Sequence, residues 1–252
     1  MHVQAIRTDP ITEEQDLLSP LDRYLDAFEE RSVLAITSKI VSICQGRMVP
    51  AADADKEALV EAEAEWFLPP SASRYHVHLT IVDHVLIPEA GVDESNAGGH
   101  YILWPRDAQG VANAVCAYLR ERFGRRHVGV IVTDSKTTPL RWGVTGVALA
   151  HSGFLALNDY IGQPDVFGRT LQMTKVAVAD ALAAAAVLVM GEGDEQTPLA
   201  TIGDLPFVTF QDRDPTEEEL RQRWIAVEDD LYASLLTSVD WRKGARDADP
   251  RR

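Results

Sequence analysis

Two stretches carry residue types that could hold a hard cation: Gly91-Val92-Asp93-Glu94-Ser95-Asn96 and Val132-Thr133-Asp134-Ser135-Lys136-Thr137-Thr138-Pro139-Leu140-Arg141-Trp142-Gly143. Each sets an acidic residue and small oxygen-bearing side chains just past an apolar run that reads as a buried strand. A strand end on a rigid scaffold can hold such a cation. If adjacent strands bring Asp93 and Asp134 to one sheet end, the crowded carboxylates either raise each other's pKa or take up a cation. With Ser135 and Glu192 the donor set is all oxygen, which suits Mg2+ or Mn2+ bridging nucleotide phosphates. The same aspartates fit equally well as turn formers and caps.

The elements that must position these residues follow from pattern. Val33 to Ile36 is a short β-rich run, and Val128 to Val132 is a near-continuous apolar run that predicts a buried strand ending at Thr133-Asp134. Between them, Val111, Val115, Leu119 and Phe123 form a helix stripe closed by Gly124. Val144 to Ala150 is a further strand, and Leu171 to Met190 reads as one Ala-rich helix through the middle of the core. That helix runs into Gly191-Glu192-Gly193-Asp194-Glu195-Gln196-Thr197-Pro198. Its two glycines would let backbone approach a phosphate closely, or would simply cap the helix. Ser38, Lys39 and Arg47 follow the first strand and could meet an anion, or form a polar loop.

Elsewhere the pattern gives an amphipathic helix from Ser19-Pro20, a solvated acidic helix over 53–68 and a β-rich stretch over 74–87. In that stretch His76 and His78 share one face as ordinary strand histidines. Leu205 to Phe210 reads as a last strand. Thr216-Glu217-Glu218-Glu219 is a capping box for a helix carrying Leu220, Trp224, Leu231 and Leu235. The expected organisation is one unit over 1–210, as a single body or two subdomains, a C-terminal helix over 211–240, and a charged, frayed tail over 241–252.

Composition narrows the function. With 24 Lys+Arg against 39 Asp+Glu the net charge is −15, which repels a phosphate backbone and argues against nucleic-acid or anionic-membrane partners. The most apolar run, Ala181 to Met190, is about half of the roughly 20 residues a bilayer span needs. Cys44 and Cys116 fit no ligand spacing or disulfide framework, and the N-terminus lacks a secretory pattern, so a cytoplasmic location is expected.

One family carries these blocks in the same order. They are Ser38-Lys39-Ile40-Val41-Ser42 with Gly46-Arg47, the Asp93 and Asp134 blocks, Arg141-Trp142-Gly143, Asp159 with Asp165-Val166-Phe167-Gly168-Arg169, Ala179-Asp180-Ala181 and Val189-Met190-Gly191-Glu192. From about Val3 to Pro206 the sequence resembles the coenzyme F420-0:L-glutamate ligases, the γ-glutamyl ligases of deazaflavin biosynthesis. It is most similar to a bacterial branch assigned to folate metabolism.

The resemblance implies an α+β fold, with mixed or antiparallel sheets and packed helices, in an intertwined homodimer. It also implies an amide ligase that uses GTP, or in relatives ATP, with two divalent metals. By position, Asp93 and Asp134 match metal ligands, and Ser135 and Glu192 match ligands of the second metal. Ser38, Lys39, Asn96, Met190, Gly191, Gly193, Gln196 and Thr197 match nucleotide contacts, with Thr8 to Ile11 matching more loosely. Three positions depart: Ile43 stands where the family carries a nucleotide-contacting Lys, Gln45 replaces a Glu, and Glu192 replaces a common Gln.

The expected chemistry is attack of a substrate carboxylate on the γ-phosphoryl group, giving an acyl phosphate that L-glutamate or another amine displaces. Arg141 and Arg169 are the expected holders of carboxylates or phosphates, with bracing of the fold as the alternative for each. The rival readings are a metal-dependent phosphohydrolase, in which water replaces the carboxylate, and a non-catalytic nucleotide-binding module.

Overall fold

The computed structural model describes residues 1–13 and 15–246. In chain order the elements are β1 (His2–Ile6), α1 (Leu18–Tyr24), β2 (Val33–Thr37), α2 (Ser38–Cys44), β3 (Met48–Pro50), α3 (Lys56–Glu63) and β4 (Trp66–Leu68). Then come β5 (Leu79–Val82), β6 (Val85–Pro88), β7 (His100–Ile102), α4 (Ala108–Phe123), β8 (Gly129–Thr137), β9 (Val144–Ser152), β10 (Leu157–Asp159) and β11 (Lys175–Ala177). The chain continues through α5 (Val178–Met190), β12 (Leu199–Gly203), α6 (Glu217–Arg221), α7 (Ala233–Leu236) and β13 (Arg242–Lys243).

The main sheet has the order β1-β12-β2-β8-β9, with β2 and β8 parallel and its other pairs antiparallel. Its central strands are apolar on both faces because both faces are covered. Leu34, Ile36, Val130 and Val132 point toward α1, α2 and α4, where Leu21, Val115 and Leu119 complete a core. Val33, Ala35 and Ile131 point the other way, onto Leu182, Ala183 and Ala186 of α5. This alternation with a period of two converts an unbroken apolar run into two separate cores. Small residues let α5 lie close to the sheet: a Cβ built on Gly146 would meet the Ala183 carbonyl at 2.3 Å.

A second sheet, β13-β4-β5-β6, is antiparallel and packs with α3 around Val60, Phe67, Val82, Ile87 and Trp104. Two further ladders pair β3 with β7 and β10 with β11. The architecture is therefore α+β with mixed and antiparallel sheets.

Several expected elements differ. The helix expected from Leu171 begins only at Val178, because Lys175–Ala177 pairs with Leu157–Asp159. It lies against one face of the sheet, and its last turn leaves Leu188 83% exposed. The acidic segment is helical only over Lys56–Glu63, where Asp55 accepts from the Glu57 N–H and fixes the start, and then turns into β4. Of the stretch over 74–87, only the part from Leu79 is strand: β5 and β6 form a hairpin whose turn residues, Asp83 and His84, both have positive φ, as a tight twisted turn requires. His76 is exposed outside any strand while His78 is buried, so the two do not share a strand face.

Residues 205–210 form no strand; instead Leu205 and Val208 plug the α5-side core. The capping box at Thr216 and Glu219 is present, but its helix ends at Arg221, and Trp224 leaves it to stack on His84 with ring centroids 4.6 Å apart. Part of the supposed frayed tail is docked. Arg242–Lys243 pairs with β4, the Gly244 N–H donates to the Glu65 carbonyl at 2.9 Å, and Arg246 bonds Asp83 at 2.6 Å. The remaining tail, 247–252, lies outside the described residues.

Candidate active site

Beyond Thr37 and Thr133, the last register pair between β2 and β8, the two parallel strands diverge. β2 turns directly into α2, while β8 runs on beside β9 alone. A crevice at the carboxyl ends of neighbouring parallel strands is the usual place for a ligand. Here it is a cleft of about 370 Å³. A register shift in the β8–β9 ladder between Val132 and Thr133 precedes Asp134 and re-aims the residues that follow.

Asp93 and Asp134 both line this cleft, with Ser95, Asn96, Ser135, Lys39 and the loop from Met190 to Pro198. Thr8 to Ile11 close one side. Asp93 is fixed at the backbone by paired hydrogen bonds with Ile102, of 2.9 and 2.7 Å. Its carboxylate accepts from the Ser95 N–H at 2.7 Å and the Ser95 hydroxyl at 3.0 Å, and lies 2.7 Å from Lys39 Nζ. Burial alone would push the Asp93 carboxyl up, but Lys39 and the Ser95 donors bring it below its ordinary value.

Asp134 sits in the opposite regime. Burial pushes its carboxyl up to about 6, against the pull of the Ser135 N–H and the Trp104 indole, and the nearby Asp93 charge pushes the same way. Its Oδ1 accepts from the Ser135 N–H at 2.8 Å and its Oδ2 from Trp104 Nε1. The Ser135 hydroxyl faces the other way, donating to Glu192 Oε2 at 3.3 Å, and burial raises the Glu192 carboxyl too. Asn96 Nδ2 donates to the Gly193 carbonyl at 2.8 Å, so the Asp93 loop and the glycine loop form opposite lips of the cleft. Thr197 Oγ1 ties back to the Met190 carbonyl and closes the glycine loop on itself.

Among the described residues lining the cleft, six are acidic (Asp9, which pairs with Arg23 at 2.7 Å, Asp93, Asp134, Glu192, Asp194 and Glu195) and one, Lys39, is basic. The donors suit a hard cation by type: they are all oxygen, and burial, with the Asp93 charge adding to it, holds two of the carboxyls above their ordinary values. Even so, no three His, Cys, Asp or Glu among the described residues are already gathered as a metal cage. Lys39 rests on Asp93, and Ser135 is engaged by both other acids, its N–H with Asp134 and its hydroxyl with Glu192.

Other expected residues lie elsewhere. Ser38 is buried at the start of α2 and does not line the cleft. Arg47 does not face it either; it braces Glu63 at 2.6 Å and the Trp104 carbonyl at 3.1 Å. Gln45 clasps the backbone of Arg106 through both ends of its amide, at 2.9 and 2.8 Å. Ile43, at the position where the resemblance implies a lysine, does line the cleft and brings no charge to its wall. Arg141 and Arg169 stand on exposed loops outside the cleft of the single chain. Sequence reasoning missed the role of Trp104, which touches Asp134; the cue was a glycine two residues before Asp93, which leaves room for an aromatic ring.

Residues 5–204 match the model of the F420-0:gamma-glutamyl ligase family. The chain is 35% identical over 222 residues to the coenzyme F420:L-glutamate ligase of Methanopyrus kandleri, covering 77% of this chain and 84% of the relative. It is 32% identical over 211 residues to the protein of the same name from Archaeoglobus fulgidus, covering 78% and 84%. With that of Methanocaldococcus jannaschii the match is 41% over 136 residues, about half of each chain. A family match that starts within β1 and ends just past β12 takes in the main sheet except the start of β1, and every wall of the cleft. The chain therefore belongs to the F420-0:gamma-glutamyl ligase family.

Proposed function

We propose that the protein is a nucleotide-dependent ligase that joins L-glutamate, or a similar amine, to a small-molecule carboxylic acid. The family's description points first to F420-0 as the acid; folates are the second class to try. The carrying observation is the charge of the cleft: one lysine against six carboxylates. A triphosphate cannot enter such a wall unless cations come with it. Asp93, Asp134, Ser135 and Glu192 would hold Mg2+ or Mn2+, which when bound would neutralise phosphoryl charge.

In this reading the chain's own groups do the positioning. Lys39 meets the phosphates, Asn96 and the loop from Met190 to Thr197 hold the nucleotide, and the acid's carboxylate is held in line with the γ-phosphoryl group. Attack by that carboxylate releases the nucleoside diphosphate and leaves an acyl phosphate. The amine nitrogen then displaces phosphate and loses its proton, giving the amide. No nucleophilic side chain is required.

Arg141 and Arg169 are the proposed holders of substrate carboxylates. They lie beside Trp142 and Phe167, which are 92% and 93% exposed. Apolar surface left so open on these loops supports pairing with a second copy, which would also have to bring the two arginines to a cleft.

The test incubates the protein with Mg2+ or Mn2+, GTP or ATP, L-glutamate and either F420-0 or a folate. A glutamyl mass increment on the acid, dependent on both nucleotide and amine, is expected. Nucleotide hydrolysis that proceeds equally without amine, and with no adduct, would replace the ligase by a phosphohydrolase.

A further inference from the structure

The residue that links the two halves of the cleft is an aromatic one, outside the donor set. Trp104 is 3% exposed and follows β7. Its indole N–H donates to Asp134 Oδ2, across thirty residues of sequence. A buried indole N–H has one proton to give and needs an acceptor, and here the acceptor is a cleft carboxylate. The backbone that carries Trp104 is fixed as well. Its carbonyl accepts from Arg47 Nε at 3.1 Å, the preceding Leu103 N–H donates to the Arg47 carbonyl at 3.0 Å, and Ile102 exchanges two backbone bonds with Asp93.

Gly91 lies against the ring edge: a Cβ built there would be 2.0 Å from Trp104 Nε1, and its φ of +71° belongs to the left-handed region. The loop that carries Asp93 is thus shaped around the same indole that holds Asp134. With Oδ1 fixed by the Ser135 N–H and Oδ2 by the indole, the Asp134 carboxylate has its plane set. Losing a group that orients a metal ligand from behind typically costs about 10- to 100-fold in metal affinity.

We propose that Trp104 is the positioning residue of this site: it aims Asp134 into the cleft and keeps the Asp93 loop in register with it. The role rests on the cation reading above, and the experiment separates the two. Mn2+ binding is measured by electron paramagnetic resonance for the wild-type protein and for Trp104→Phe, which keeps an aromatic ring and loses the N–H. A loss of about 10- to 100-fold in Mn2+ affinity is expected for the variant, at a temperature well below its unfolding midpoint. Affinity within twofold of wild type would overturn the role of Trp104 alone. Absence of Mn2+ binding in the wild type, with and without nucleotide, would overturn the cation reading and this role with it.

A second readout uses the wild-type protein and does not depend on the variant folding. With 15N in the indoles of its five tryptophans, adding Mg2+ should shift one indole N–H signal, and Asp134→Asn should move the same one. Mg2+ that binds while every indole signal stays in place would contradict the proposal.

Discussion

Lys39 Nζ lies 2.7 Å from Asp93 Oδ2, and the same ammonium donates to the Ser95 carbonyl at 2.8 Å and the Ser95 hydroxyl at 3.0 Å. The only ammonium among the described residues lining the cleft is thus spent on the carboxylate that is proposed to hold a cation.

Competition between lysine and cation follows from that contact. Lys39→Met should raise Mn2+ affinity in the absence of nucleotide by about fivefold, the scale of a half-exposed ion pair worth about 1 kcal/mol. The same variant should bind nucleotide more weakly, having lost the positive charge that meets the phosphates. Calorimetric titration of each ligand checks both signs, and weaker Mn2+ binding by the variant would show that Lys39 does not compete.

The raised Asp134 carboxyl sets a pH window. A cation binds the ionised form, so binding between the ordinary carboxylate value and about 6 must expel a proton. Mn2+ affinity should fall as pH drops through 6, approaching about tenfold per pH unit, with proton release visible as a buffer-dependent binding enthalpy. For the metal-free protein the sign is opposite. The folded state keeps a proton that the unfolded chain has lost, so Asp134 costs stability as pH rises from about 4 through 6. Asp134→Asn should flatten that part of the stability curve.

His151 is buried, with its Nδ1 3.3 Å from Arg223 Nη1, and burial followed by the Arg223 charge depresses it to about 3. An unfolded chain protonates its histidines near 6.5, so the stability contributed by neutral His151 is present above that value and lost as pH falls toward 3. The slope reaches about 1.4 kcal/mol per pH unit. Its imidazole signals should show a neutral ring at pH 5 by nuclear magnetic resonance, and a ring that titrates near 6.5 would contradict this burial.

Gly91→Ala combines a left-handed φ with a Cβ driven into the Trp104 indole. It should destabilise the protein by about 1–3 kcal/mol or more, as overpacking and backbone strain do, and weaken Mn2+ binding as well. Thermal unfolding beside a Mn2+ titration checks both effects.

How much of this was legible in the sequence differs by element. Val33 to Ile36 and Val128 to Val132 announced buried strands because both faces of β2 and β8 are covered, so apolar residues run without interruption. Asp93 and Asp134 were readable as acids just past apolar runs, but the strand expected to end at Thr133-Asp134 continues to Thr137 beside β9, so Asp134 lies within β8. Lys175–Ala177 continued a helical pattern, yet its backbone is taken by β10, a non-local partner that no local pattern encodes. Residues 205–210 looked like a strand because Leu205 and Val208 are apolar for core packing alone. Trp104 as the indole behind Asp134 was missed: Gly91 leaves room for a bulky neighbour, but which side chain fills that room is set by a contact between residues thirty apart that no local pattern encodes.

The central claim is that Asp93 and Asp134 jointly grip a divalent ion beside a nucleotide. Its most direct test is Mn2+ binding in the presence of GTP or ATP by Asp93→Asn and Asp134→Asn, each an isosteric loss of charge. Both variants should keep the wild-type fold by circular dichroism and lose Mn2+ affinity at least about tenfold, a difference of 1.4 kcal/mol. Wild-type Mn2+ affinity in either folded variant would contradict the account.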